Sequence, residues 1–305
     1  MKISIILPTF NREKVLKQTV RNVLNQSFKD YELIIINDAS TDQTINVIEA
    51  FKKKDERIKI INNIDNLGCA KSRELGLQYS NNELIAFIDD DDQWNEQALM
   101  KQYNAITHNN SDMVISDYYI VAHQKKVYKK MNLFSKNFKH EILKRPGPFF
   151  QSVMIKKNVL EKIDAPFDSQ ATPSEDWNFF IELSKINPII SYVNEPLFLW
   201  NMHADNQSLN LSKEAEALNY IVTKHYHYIR KEHGKKIIAN HYRRIARVYE
   251  KIKDTNNINK FYIKAFKINP ISIKNISYFL AIMIGYKWSK IIINLIRYIR
   301  GVPNA

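Results

Sequence analysis

The stretch Leu84 to Trp94, L-I-A-F-I-D-D-D-D-Q-W, decides how the rest of the chain is read. Its five leading apolar residues read as a buried strand, and four carboxylates follow without a break. At ~5 Å and an effective dielectric near 20, each adjacent like-charged pair costs about 3 kcal/mol, so the run calls for a compensating cation. Carboxylate oxygens suit Mg2+ or Mn2+, which take their remaining ligands from waters and phosphates. The competing reading is a solvated acidic turn ahead of a helix near Asn95, but exposed acids need no apolar strand to deliver them to one edge.

Upstream, short apolar runs alternate with helical periodicity: I-S-I-I-L-P, a helix near Val15–Leu24, Y-E-L-I-I-I-N, a helix from Thr41 to Phe51, R-I-K-I-I-N, and a helix from Cys69 to Tyr79. Near-continuous apolar strands joined by helices predict a parallel sheet covered on both faces, with right-handed crossovers. Ligands of such sheets sit beyond the carboxyl ends of the strands. Three polar segments fall at those ends: P-T-F-N-R, N-D-A-S-T-D and D-D-D-D. Downstream, residues 112–200 are less regular, with strand-like M-V-I-S-D-Y-Y-I-V and S-V-M-I, and S-E-D-W-N-F-F opening a helix. From Leu211 the pattern is helical, punctuated by Gly234 and Pro270.

The chain has 305 residues, 45% of them apolar, and a formal net charge of +13. All the excess lies late: from Leu211 onward there are 19 Lys and Arg against 5 Asp and Glu, while the first 210 residues carry 26 against 27. Such a patch fits nucleic acid or an anionic lipid surface, and composition does not separate them. The longest uncharged run, Asn275–Tyr286, is 12 residues, short of the ~20 that cross a bilayer. Lys287, Lys290, Arg297 and Arg300 interrupt the apolar stretch beside Trp288 and Tyr298, and no acid follows Asp254, which fits an interfacial helix. The plainer reading is a set of helices that pack on each other, with a solvated basic face. One cysteine, Cys69, excludes an intrachain disulfide, and M-K-I-S-I-I-L-P meets polar residues too soon for a signal peptide, so a cytosolic setting is expected.

Taken alone, Asp38 is an Asx-turn residue, with Ser40 capping the next helix and Gln43 completing a capping box. Placed at a strand end, it would accept a hydrogen bond from a base N–H, and Phe10 would stack on that ring. Glu175 and Asp176, after Ser174, are ordinary partners of a helix dipole, or else supply the general base that transfer to an alcohol needs. His203 is a further metal ligand or a structural histidine.

Together these residues resemble glycosyltransferase family 2, inverting enzymes with a GT-A fold. The matching motifs are P-T-F-N-R (Pro8, Thr9, Phe10, Asn11, Arg12), I-I-I-N-D-A-S-T-D, N-x-G-x-x-x-x-R (Asn66, Gly68, Arg73), F-I-D-D-D-D-x-W and S-E-D-W, over approximately residues 1–205. The resemblance implies that Phe10 and Asp38 contact the base, and that Asp89 and Asp90 approach ribose and diphosphate. It also implies that Asp91 binds Mn2+ or Mg2+, that Arg73 lies near the phosphates and that Asp176 is the base. Pro8, Thr9, Asn11, Arg12, Asn66, Gly68, Glu175 and Trp177 complete the expected substrate contacts.

The processive synthases of the family carry Q-x-x-R-W and membrane spans. Here the comparable place reads L-F-L-W-N-M-H, with Asn201 where an Arg often precedes the late His, so transfer of a single sugar is expected. The expected organisation is an α/β GT-A domain over 1–208, with a nucleotide-sugar half at about 1–110 and an acceptor half at about 111–208. A basic helical region, 209–305, would associate with an anionic membrane surface on its cytoplasmic inner face. The expected reaction is metal-dependent, inverting transfer of one hexose, from a UDP-sugar, to a glycan hydroxyl, including a lipid-linked one, in surface polysaccharide synthesis. Three rivals stay open: a nucleic-acid-binding protein, a non-catalytic membrane scaffold, and a sugar nucleotidyltransferase. The last is disfavoured because no glycine-rich loop follows the first strand, and no nucleic acid is expected as a partner.

Overall fold

The apolar runs Ile3–Thr9 and Tyr31–Asn37 are buried along their whole length, which a strand achieves only with cover on both faces. They form β1 and β2 in a computed structural model that describes residues 1–122, 125–202 and 210–283. Helix α1 (Leu16–Leu24) joins them, and α2 (Thr44–Lys52), β3 (Ile58–Asn62), α3 (Cys69–Gln78) and β4 (Leu84–Phe87) continue the alternation. After β5 (Gln93–Trp94) come α4 (Ala98–His108), the hairpin of β6 (Met113–Ala122) and β7 (Lys125–Lys129), and the short α5 (Asn132–Lys136) and α6 (Phe138–Lys144). Then follow β8 (Val153–Lys156), α7 (Lys157–Leu160), α8 (Glu175–Ser184) and β9 (Ile190–Asn201).

These strands make one sheet in the order β3-β2-β1-β4-β8-β6-β9-β5, with β7 beside β6. The β3-β2-β1-β4 half is wholly parallel, as the alternation predicts. Strand β8 then pairs antiparallel with both β4 and β6, so the sheet is mixed beyond β4. Helix α3 packs close on the parallel half: a Cβ at Gly76 would stand 2.5 Å from Ile6 Cγ2 and 2.9 Å from Ile36 Cδ1. That approach sets the height at which Gly68 and Arg73, on the same helix and its cap, meet the strand ends.

Helix α2 starts three residues later than its periodicity predicts. Ser40 makes no cap; its Oγ accepts from Asn11 N at 3.0 Å, and Asp42 Oδ1 instead accepts from Thr44 N at 2.9 Å. The left-handed Ala39, φ 60°, turns the chain before the helix can begin.

The chain divides into two compact units, Met1–Ile142 with Pro146–Asn206, and a second that takes Leu143–Arg145 and the later residues. In the second unit, α9 (Leu211–Lys224) is capped by Asn210, α10 (Tyr226–Lys251) is broken at Gly234 (φ 69°), and α11 (Thr255–Ile268) is capped by Asp254. Helix α12 (Ile273–Met283) packs on α11 through stacked Tyr262–Tyr278 and Phe266–Phe279 rings, each pair 4.3 Å apart. Among the described residues no helix is long and apolar enough to cross a membrane.

Candidate active site

Each polar segment expected at a strand end is there, and the first two are laced together. The loop after β1 turns through Asn11 (φ 53°), whose Oδ1 accepts from Thr41 N at 2.8 Å. Arg12 N donates to Thr44 Oγ1 at 2.8 Å, Glu13 N to Asp42 Oδ2 at 3.2 Å, and Gln43 N to Glu13 Oε2 at 3.1 Å. Pro8 and Thr9 lie buried within β1, whereas the Phe10 ring is 42% exposed at its end and open to a stacking partner.

Asp38 is buried and organises the next loop. Its Oδ1 accepts from Asn63 Nδ2 at 2.7 Å and Leu67 N at 2.9 Å, and its Oδ2 from Gly68 N at 2.8 Å. Gly68, φ 82°, is left-handed just before α3, which is why glycine stands there; Asn66 is exposed on the same loop.

The acidic run does not point one way. Asp89 turns to Arg73 Nη2 at 2.6 Å and accepts from Gln151 Nε2. Asp90 and Asp91 face Arg12, at 3.4 Å from Nε and 3.9 Å from Nη2. Asp92 is buried and accepts from Asn201 N at 3.3 Å, while Asn201 Nδ2 donates to Asp91 O at 3.0 Å. Thr19 Oγ1 holds the turn through the carbonyls of Asp90 and Asp92. Burial, and then Asp91 beside it, push the Asp90 carboxyl up to about 7; burial and Asp89 push Asp92 well above the ordinary carboxylate range. The cluster is thus short of positive charge, and its hard oxygens fit Mg2+ or Mn2+. Among the described residues no group of three His, Cys, Asp or Glu side chains is placed to hold a metal ion by itself. His203 lies outside the described residues.

Arg73 links this cluster to the S-E-D-W motif. Its guanidinium is 3% exposed, donates to Glu175 Oε1 at 3.0 Å as well as to Asp89, and lies 4.6 Å from the Phe150 ring centroid. Its side chain is enclosed between two carboxylates and a ring, which gives Arg73 a positioning role toward Asp89 and Glu175. Glu175 and Asp176 open α8; Ser174 stands at the N-cap position, but its side chain makes no capping bond. Asp176 Oδ1 accepts from Trp177 N at 2.7 Å. Burial, followed by the neighbouring Glu175 charge, pushes the Asp176 carboxyl up to about 7. Trp177 does not face a ligand: it is 1% exposed, and its indole N–H donates to Ile142 O at 2.8 Å, which anchors α8.

Gln151, Phe150, Asn63 and Tyr118 were not legible in the sequence. Gln151 positions Asp89, and its carbonyl accepts from Trp94 Nε1 at 2.7 Å. Tyr118, buried on β6, has its phenol pushed upward by burial and then by the Asp176 charge.

Several known proteins are similar to this chain in sequence or in fold. Poly(ribitol-phosphate) beta-N-acetylglucosaminyltransferase TarP of Staphylococcus aureus is 36% identical over 59% of this chain and 57% of its own length. The putative teichuronic acid biosynthesis glycosyltransferase TuaG of Bacillus subtilis is 32% identical over 39% and 48%. This chain therefore spans only about half the length of these curated relatives. UDP-Glc:alpha-D-GlcNAc-diphosphoundecaprenol beta-1,3-glucosyltransferase WfgD of Escherichia coli is 28% identical over 61% and 71%. Among solved structures, S. aureus TarS 1–349 in complex with UDP-GlcNAc superposes with a TM-score of 0.67 at 19% identity, covering 90% of this chain and 84% of that one. The mannosyltransferase PcManGT from Pyrobaculum calidifontis, in complex with GDP-Man and Mn2+, gives 0.60 at 13% identity over 99% and 86%. These likenesses show the GT-A fold. A model of the family described as Glycosyl transferase family 2 matches residues 4–164, more than half of the sequence, and the chain belongs to glycosyltransferase family 2.

Proposed function

We propose that the chain transfers one hexose from a UDP-sugar to a hydroxyl of a glycan acceptor, including a lipid-linked one, with inversion at the anomeric carbon. Surface polysaccharide synthesis is the setting that the names of TarP, TuaG and WfgD suggest. The observation that carries the reading is Asp176: a buried carboxyl raised to about 7, tied through Glu175 and Arg73 to the acidic run on another loop. A base of that basicity exchanges its proton near neutral pH. Asp176 takes the acceptor hydroxyl proton as that oxygen attacks the anomeric carbon, and the bond to the diphosphate oxygen breaks. One displacement inverts the centre.

Phe10 stacks on the base, and Asp38, with three hydrogen bonds accepted, keeps a lone pair for a base N–H while it fixes the 63–68 loop. Asp89 and Asp90 border ribose and diphosphate. Asp91, with His203 and phosphate oxygens, would hold Mn2+ or Mg2+, which when bound offsets the charge of the departing diphosphate. Thermal unfolding with Mn2+ and a panel of nucleotide sugars tests the reading. Stabilisation by UDP-sugars, retained in Asp176→Asn while transfer is lost, is expected; absence of stabilisation by any nucleotide sugar overturns it.

The proposal also puts the chain on the cytoplasmic face of an anionic membrane. Ile273, Ile276, Leu280 and Met283 are exposed on α12 at spacings of a helical face, and basic residues follow in sequence. Replacing Lys287, Lys290, Arg297 and Arg300 by Glu should abolish co-sedimentation with anionic vesicles; undiminished binding contradicts the placement.

A further inference from the structure

The hairpin of β6 and β7 reaches out past the acidic run. Met154 on β8 pairs antiparallel with Ala86 on one side and with Val114 on the other, so β6 runs in the direction of β4 with Val114 level with Ala86. Residues 118–122 of β6, which pair with β7, therefore lie beyond the level of Asp89, a reach of about 16 Å. The neighbouring strand β9 is fastened to the acidic run at its end, where Asn201 donates to Asp92 Oδ1 and to Asp91 O.

Cross-strand pairing sorts the side chains of β7 onto two faces. Lys125, Val127 and Lys129 stand opposite Ala122, Ile120 and Tyr118, while Lys126 and Tyr128 stand opposite Val121 and Tyr119. The first face is turned to the active site. Its Tyr118 ring meets Phe149 at 5.2 Å, Phe149 meets Trp200 at 4.9 Å, and the two residues after Phe149 serve the site, Phe150 against Arg73 and Gln151 on Asp89. The second face closes on itself: Lys126 Nζ lies 5.8 Å from the Tyr119 ring centroid, Lys130 Nζ lies 5.9 Å from that of Tyr128, and the Tyr128 hydroxyl donates to Asp117 Oδ2 at 2.5 Å.

Lys125 and Lys129 are the charges of the face turned to the site. Among the described residues no carboxylate pairs with any of the four lysines of K-K-V-Y-K-K, residues 125–130. The acids close by are taken: Asp117 accepts from Tyr128, Tyr192 and Met131 N, and Glu195 pairs with Lys101 at 2.5 Å. We propose that Lys125 and Lys129 form a docking surface for an acceptor glycan that carries negative charge, phosphodiester or carboxylate, along its chain. The proposal rests on the transfer reading and gives its acceptor a charge class. An ammonium is a point charge that needs no fixed fork, so two of them about 13 Å apart suit charges repeated along a flexible chain. Trp200, opposite Ile120, stands level with the gap between them, and it and Phe149 are half-buried, with ring faces suited to the C–H faces of a sugar. Lysines also keep an edge strand from pairing with other chains, but that role is indifferent to face.

The test compares the two faces in the full chain. Wild type, Lys125→Gln with Lys129→Gln, and Lys126→Gln with Lys130→Gln are titrated calorimetrically with a galacturonate hexamer, a glycerol-phosphate hexamer and neutral maltohexaose. Co-sedimentation with phosphatidylcholine vesicles, with and without phosphatidylglycerol, runs beside it. An unchanged Tm shows that each variant folds, and Lys125→Arg with Lys129→Arg, which keeps both charges, should bind as wild type does. The site-face pair should weaken binding of a charged hexamer about fivefold, an effect that fades at about 0.5 M salt, while the far-face pair leaves it unchanged. Equal weakening by the two pairs, weakening of vesicle binding alone, or no preference of wild type for either charged hexamer over maltohexaose overturns the proposal. Charge-dependent binding without stabilisation by any nucleotide sugar would sink the transfer reading and leave this surface standing.

Discussion

The loops that follow β1 and β2 and the helix that begins at Glu175 handle their carboxylates in opposite ways. In the loops, backbone amides are used freely: Asp38 holds Leu67 N and Gly68 N, Asp42 holds Glu13 N and Thr44 N, and Asn11 holds Thr41 N. Desolvation would raise the Asp42 carboxyl, but the hydrogen bonds from Thr44 and Glu13 outweigh it and hold Asp42 below the ordinary carboxylate range. Asp176 instead accepts from Trp177 N, its own neighbour, and burial keeps its carboxyl at about 7. The first region presents a rigid surface to a ligand, and the second keeps a proton acceptor in exchange with its surroundings.

Asp176→Asn tests that difference most severely. Transfer should fall by about a thousandfold or more, since general-base contributions run to ~10²–10⁴. In wild type, kcat/KM should rise with pH through an inflection near 7, because only the ionised carboxyl takes a proton. Stability runs the other way. A folded carboxyl that keeps its proton to higher pH than the unfolded one loses stability as pH climbs from about 4 through 7. Asn carries no such cost, so the variant should gain on wild type in thermal scans above pH 7 and not at pH 4. A flat kcat/KM profile, or a variant with full activity, would place the base elsewhere.

Arg73→Met breaks the link between the acidic run and α8. It leaves Asp89 and Glu175 facing each other without their shared cation, and Glu175 Oε2 already lacks a partner. Removing one member of a buried pair costs about 3–5 kcal/mol, and the partial exposure of Asp89 brings the expectation to about 3. For a chain of this size that lowers Tm by roughly 6–10 °C. Arg73→Lys should recover only part, because one ammonium cannot serve two carboxylates from a rigid fork. An unchanged Tm would mean the acidic run and α8 are not coupled through Arg73.

What the sequence reveals follows from the same contrast. The parallel half was legible because each strand is an apolar run that alternates with an amphipathic helix, and the polar segments at its ends carry ionisable residues. Cap chemistry was not: Ser40 was expected to cap α2, but Asn11 N donates to its hydroxyl across the loop, and Asp42 Oδ1 accepts from Thr44 N instead. Trp177, adjacent to the base in sequence, went to the core, since an indole needs one acceptor and Ile142 O supplies it. Gln151 and Phe150, which hold Asp89 and cover Arg73, are one neutral amide and one ring in an irregular stretch, and neither residue type announces a partner far away in sequence.

Asp38→Ala should have the smallest effect of the three, and a different kind. It orphans Leu67 N and Gly68 N, but Leu67 is exposed and Gly68 half-buried, so water takes over part of the loss. A cost of about 1–2 kcal/mol is expected, read as a lower urea midpoint at unchanged slope. The donor KM should rise about tenfold while kcat changes little, because a loosened 63–68 loop weakens donor and transition state alike. Asp38→Asn sharpens the point. Its carbonyl still accepts from Leu67 N and Asn63, but an amide NH2 would then face Gly68 N, donor against donor. If Asn matches wild type in stability yet raises KM, the carboxylate charge serves the ligand as well as the loop. If Asn and Ala raise KM equally, with stability lost in both, the loop alone accounts for Asp38.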